Sequence, residues 1–164
     1  MKETVTIAIV GAPATGKSSV SKALLEYLNV NDRLAYLISL DLYREAIVND
    51  RRFYYESESL WFEVVLQDIR YLQGKVDCIL VEGLMYDGNC LKSVLKYSHH
   101  FTSILLYCAT STRLIRNKER NKRLPDEEVI RLGSIDRGEV DIKIDTERPF
   151  TIVVDTIKEK LGWT

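Results

Sequence analysis

The sequence predicts an α/β fold built on a mostly parallel sheet. Two observations lead there: apolar, β-branched runs alternate with helix-period segments, and five such runs with their intervening helices use up the chain. Size is the third. At 164 residues the chain buries roughly two thirds of its unfolded surface, enough for a real core. No internal repeat or low-complexity linker divides it, so residues 1–164 read as a single domain.

The predicted strands are Val5–Val10, Leu34–Ser39, Cys78–Glu82, Ser103–Cys108 and Asp141–Asp145. A helix leaves Gly16 with Val20, Leu24, Leu25 and Leu28 on one face. A second, from about Ser57 to Leu72, carries Leu60, Val64, Val65, Ile69 and Leu72, and Gly74 stops it. The last begins near Pro149, where a missing N–H costs nothing, and spaces Ile152, Val153, Ile157 and Leu161 helically.

Composition narrows the function. With 23 basic and 24 acidic residues the net charge is -1, so no global field holds a polyanion and any nucleic-acid contact needs a local patch. Met1 to Thr4 run into the first strand without a charged-then-apolar leader, and no apolar run approaches a membrane span. The expectation is a soluble, cytoplasmic protein. Of three cysteines, Cys78 and Cys108 sit in strand-like runs and Cys90 nearer a loop; without a CxxC pair they receive no metal or disulfide role.

The segment Gly11-Ala12-Pro13-Ala14-Thr15-Gly16-Lys17-Ser18 matches G-x-x-x-x-G-K-[ST], with an apolar strand before it and an amphipathic helix after. Such a loop aims backbone N–H groups at a polyphosphate, and the emerging helix adds positive dipole. Gly11 and Gly16 permit the backbone angles and the close approach, Lys17 bridges the β- and γ-phosphates, and Ser18 offers its hydroxyl to Mg²⁺. Ser19 continues the cradle. A triphosphate site, ATP with Mg²⁺, is the expectation.

Three further features bear on the chemistry of a bound nucleotide. Asp41 and Arg44, three apart after the second strand, share a helix face; Asp41 suits a general base and Arg44 an acceptor-holding residue, the plain alternative being a helix cap with a solvated Arg. Glu82 ends an apolar strand where such enzymes anchor magnesium through water. Arg113, Arg116, Arg120 and Arg123 recur at helical spacing, on a helix that Pro125 ends, and form a candidate lid within about residues 112–132, against the alternative of a solvated helix face. The sequence argues against a GTPase: Asn117-Lys118-Glu119-Arg120 lacks the Asp of N-K-x-D, and Glu82-Gly83 is not D-x-x-G.

Cradle, Asp41-x-x-Arg44, strand-end Glu82 and arginine lid, in that order, resemble the small P-loop kinases, and among them the group of phage polynucleotide kinase, chloramphenicol phosphotransferase and zeta-toxin-like kinases. The resemblance implies a three-layer P-loop kinase fold with a five-stranded parallel sheet, order 2-3-1-4-5, and a site at the sheet's carboxyl edge. It implies Asp41 as base, Arg44 on the acceptor's phosphate, Arg116 near adenine and Arg120 on the phosphates. The segment Glu139 to Thr146 is similar to the closing strand of chloramphenicol phosphotransferase-like kinases, in which the next loop, here Thr146 to Pro149, borders adenine. Glu82 stands where Asp is common.

Between Ile47 and Phe62 lie Arg51, Arg52, Phe53, Tyr54, Tyr55 and Trp61. Arginines interleaved with aromatics, Arg52 and Tyr55 above all, suit an acceptor that is nucleoside-like or a polynucleotide 5′ end. In the plain alternative Trp61 and Phe62 are core and the tyrosines ordinary surface. The adjacent pair His99 and His100 is assigned nothing. The expected function is ATP-dependent phosphorylation of a hydroxyl, with a nucleotide-dependent regulatory ATPase or binding module as the alternative.

Overall fold

The computed structural model describes residues 3–47, 58–85 and 88–163. Five strands, β1 (Val5–Gly11), β2 (Ala35–Ser39), β3 (Cys78–Gly83), β4 (His100–Tyr107) and β5 (Ile142–Asp145), pair in the order β2-β3-β1-β4-β5. Every pairing is parallel, as strands joined by helical crossovers require. The helices are α1 (Lys17–Val30), α2 (Leu40–Ile47), α3 (Glu58–Leu72), α4 (Gly88–Lys96), α5 (Thr110–Lys118), α6 (Asp126–Gly133) and α7 (Phe150–Lys160). The predicted fold class and strand order are those observed.

Strand alternation divides the core into two layers. Ile7, Ile9, Leu80, Ile104 and Leu106 face Val20, Leu24 and Leu28 of α1 and Val153, Val154 and Ile157 of α7. Ala8, Val10, Ile79, Val81 and Ile38 face Trp61, Val65 and Ile69 of α3 and Leu91 and Val94 of α4. Because both faces of the sheet are covered, β1 and β3 read as near-continuous apolar runs.

Several expectations need correction. On α3 the buried stripe is Trp61, Val65 and Ile69, while Leu60 and Val64 point outward, because the helix turns its Trp61 side to the sheet. Trp61 and Phe62 pack edge to face, 5.7 Å between centroids, and belong to the core rather than to an acceptor wall. On α7, Val154 is buried and Ile152 exposed. Cys90 lies within α4, not in a loop, and packs against the core. Arg51, Arg52, Phe53, Tyr54 and Tyr55 lie outside the described residues.

The lid differs most. Its arginines do not form one helical stripe: α5 ends at Lys118, and α6 starts only after Pro125, which stands at its N-cap. Arg113 is buried, donating to the Val129 carbonyl at 2.7 Å and to Thr110 Oγ1 at 2.8 Å. It fills the space over Gly133, where an added Cβ would lie 2.2 Å from its guanidinium. Arg123 points into solvent and pairs with Asp126.

Candidate active site

The site grows from the carboxyl end of β1, where the chain must turn tightly into α1. A Cβ on Gly11 would lie 2.5 Å from the Leu106 carbonyl oxygen of the neighbouring strand, so only glycine lets β4 pass so close. Gly16 has φ 93 and Ala14 φ 63, both left-handed, and the loop curls around its own centre. Thr15 Oγ1 and Lys17 Nζ each donate to the Ala12 carbonyl at 2.9 Å, fixing the curl from within.

No side chain caps α1 and its first turn holds no acid, so its first amides and the positive end of its dipole face the loop. Lys17 is half-buried as a residue, but its ammonium is withdrawn from water, and burial pushes its pKa down from 10.5 to about 8. Glu82 and Asp41 oppose that shift; Arg137 and Arg120 add to it. A polyphosphate here would meet a cation that burial has already stripped of part of its water.

A cleft of about 400 Å³ opens over the loop. Ala14, Thr15, Gly16, Lys17, Ser18 and Ser19 form one wall; Asp41, Arg116 and Arg120 come from elsewhere in the fold; Thr146, Arg148, Phe150 and Val153 close the far end. Gly11, Ala12 and Pro13 complete the turn that feeds this wall. Arg116 is held in place by donating to Thr146 Oγ1 at 3.1 Å and to the Thr146 carbonyl at 2.6 Å. Arg120 follows α5 on a turn that buried Asn117 pins, its amide and carbonyl groups bonding the backbone of Leu124. Lys122 then reaches Glu45 at 2.8 Å, tying this segment to α2.

Asp41 sits in the first turn of α2 and pairs with Arg44 at 3.1 Å, the i,i+3 geometry the spacing predicts. The start of α2 is fixed by Gly83: a Cβ there would meet the Leu40 side chain at 2.7 Å. Arg44 is not among the residues lining the cleft. Glu82 is buried at the end of β3 and accepts from Ser18 Oγ at 3.3 Å on each oxygen and from Ser39 Oγ at 2.6 Å. A carboxylate beside a cradle hydroxyl is a hard-oxygen donor set of the kind magnesium takes when most of its remaining shell is water and phosphate. Among the described residues no cluster of three or more His, Cys, Asp or Glu could hold a metal without such help.

Four contributors carry no signal that sequence reading picks up. Ser39 is an ordinary strand-end residue until the register is known, and Asn117 looks like one more polar residue in a charged stretch. Phe150 reads as part of an apolar helix face. Arg137 is buried and donates to the carbonyls of Leu84, Ile135 and Leu132, with burial the main cause of its lowered pKa. Nothing local in the sequence marks it.

Among the described residues no helix is long and apolar enough to cross a membrane. The structure is similar to that of the APS kinase of Mycobacterium tuberculosis in complex with AMPPNP and APS: 14% identity, 99% of each chain covered, TM-score 0.74. A shikimate kinase from Bacteroides thetaiotaomicron matches at 15% identity over 96% of this chain and 98% of that one, TM-score 0.70. A gluconokinase from Sinorhizobium meliloti matches at 16%, covering 99% and 98%, TM-score 0.69. At these identities the likeness establishes the fold alone. No curated protein matches the sequence at a significant level. A family model described as AAA domain matches residues 7–135, which span the cradle, Asp41, Glu82 and both lid helices, and the chain belongs to that family.

Proposed function

We propose that the protein is an ATP-dependent phosphotransferase that moves the γ-phosphate to a hydroxyl of a nucleoside- or nucleotide-like small molecule or of a polynucleotide 5′ end. One observation carries this reading: Lys17 of the cradle, Asp41 from α2 and Arg116 and Arg120 from the lid segment line a single cleft. A nucleotide-binding module needs the cradle. With Glu82 suited to the cation, it does not need the second carboxylate, Asp41, that α2 adds at the cleft. The neighbours named as kinases lend support, and the narrower kinship with the polynucleotide kinase group is part of the proposal.

Arg116 holds the base end and the cradle amides hold the phosphates, while Asp41 accepts the proton of the attacking hydroxyl. As that oxygen bonds the γ-phosphorus, the bond to the β,γ-bridging oxygen breaks and ADP leaves. Lys17 and Arg120 neutralise the charge that spreads over the transferring group. Ser18, with Glu82 through water, would hold magnesium, which would supply neutralisation of phosphate charge. Arg44, Arg52 and Tyr55 are proposed to hold the acceptor.

Incubation with γ-labelled ATP against nucleosides, nucleotides, 5′-hydroxyl oligonucleotides and other small alcohols is the deciding experiment. A labelled organic product is expected; ATP turnover independent of every acceptor would establish the regulatory ATPase instead. Asp41→Asn should cut turnover by about 10²–10⁴-fold and leave ATP affinity nearly intact. Equal loss of both removes Asp41 from the role of base.

A further inference from the structure

Glu82 carries a negative charge into the interior, and among the described residues two hydroxyls donate to it. They are not equivalent. The cradle hydroxyl of Ser18 lies 3.3 Å from both carboxylate oxygens, divided between them and at the weak end of hydrogen bonding. Ser39 Oγ lies 2.6 Å from Oε1, the short contact of a hydroxyl committed to an anion. The residue that fixes the carboxylate is therefore on β2 and outside the cradle.

Strand register explains why Ser39 is the one. In the parallel β2–β3 pair Ser39 lies directly opposite Glu82, so both side chains leave the same face of the sheet, the face that α1 and Ser18 cover. A slip by one residue would bring Ile38 or Leu40 there, neither of which can donate. Both of those side chains are packed into the opposite layer.

We propose that Ser39 is a positioning residue that orients the Glu82 carboxylate toward the divalent cation of the bound nucleotide, so that the magnesium requirement is set in part from β2. This inference rests on the proposed nucleotide reading. Ser39 holds Oε1, which leaves Oε2 and the loosely held Ser18 hydroxyl to adjust when the cation and its waters arrive. Removing the hydrogen-bond partner of a directly ligating group costs about 10–100-fold in metal affinity, which sets the upper end for a carboxylate that acts through water.

The test uses the full chain and binding of AMPPNP, titrated by calorimetry over a range of magnesium concentrations and separately in EDTA. For Ser39→Ala, the magnesium needed for half-maximal enhancement of AMPPNP binding should rise by up to about 10–100-fold, with affinity in EDTA equal to that of the unaltered protein. Ser39→Thr, which keeps the hydroxyl, should retain the original requirement. An unchanged requirement in Ser39→Ala overturns the proposal, as does an equal loss of affinity with and without magnesium, or an equal rise in Ser39→Thr. If the unaltered protein binds AMPPNP no better with magnesium than in EDTA, the nucleotide–magnesium reading itself falls, an outcome the variants alone cannot produce.

Discussion

The cradle and the lid segment face the same cleft, and both bring positive charge to it, by different means. In the cradle the backbone supplies the charge: left-handed angles at Ala14 and Gly16, a close pass at Gly11 and uncapped amides at the start of α1. In the lid, four arginines of one type and similar spacing have four different fates. Arg113 is buried as a strut, Arg116 is fixed by Thr146, Arg120 lines the cleft and Arg123 is solvated. A backbone device demands particular residues at fixed spacing, so it survives as a motif. A side-chain device depends on where helices end, which spacing alone does not reveal.

The sharpest way to break the backbone half of this contrast is Gly11→Ala. The new Cβ would sit 2.5 Å from the Leu106 carbonyl and 2.8 Å from Thr15 Oγ1, and neither the strand nor the loop can yield without reshaping the cradle. Loss of detectable nucleotide binding is expected, with a stability cost of about 1–3 kcal/mol from overpacking. Calorimetric titration and urea unfolding measure the two. Retained affinity would mean that the loop adapts and that its shape is not what holds the phosphates.

The side-chain half is sharpened by a matched pair. Arg113→Ala leaves the Val129 carbonyl and Thr110 hydroxyl without their guanidinium donors and hollows the space above Gly133, a cost of about 1–3 kcal/mol. Arg123→Ala removes one exposed pair and should shift the unfolding midpoint imperceptibly. Chemical denaturation of both variants decides it. Equal effects would restore the reading of a uniform arginine stripe.

Legibility in the sequence divides along the same line. All five strands were readable, β1 and β3 from the continuous apolar runs that burial on both faces writes and the edge strands β2 and β5 from shorter, partly exposed runs, and their ends shifted by no more than a few residues, as at β4, which starts at His100. Helix α4 was not predicted, being only nine residues with Leu91 and Val94 turned inward. In the site, Lys17, Ser18, Asp41 and Glu82 could be placed from position relative to strand ends. Ser39 could not, since its role depends on register with β3, and Asn117 could not, since the turn it pins breaks an apparently continuous helical pattern.

The subtlest test concerns the Lys17 proton. Burial, the largest influence, lowers its pKa from 10.5 to about 8. Between pH 8 and 10.5 the unfolded chain therefore holds more of this proton than the folded one, so Lys17 costs the fold stability below pH 8 and that cost is relieved as pH rises toward 10.5. Nucleotide binding runs the other way. A polyphosphate in the cradle favours the charged ammonium, so binding above pH 8 must take up a proton, and affinity should fall as pH climbs from about 8 to about 9, by at most about tenfold per unit. Calorimetric titrations of AMPPNP in buffers of different ionisation enthalpy would count that proton, with Lys17→Met as the chain that cannot supply it. Affinity unchanged between neutral pH and about pH 9 would show that the ammonium does not meet the phosphates, and would leave the nucleotide to the cradle's backbone amides and the lid arginines.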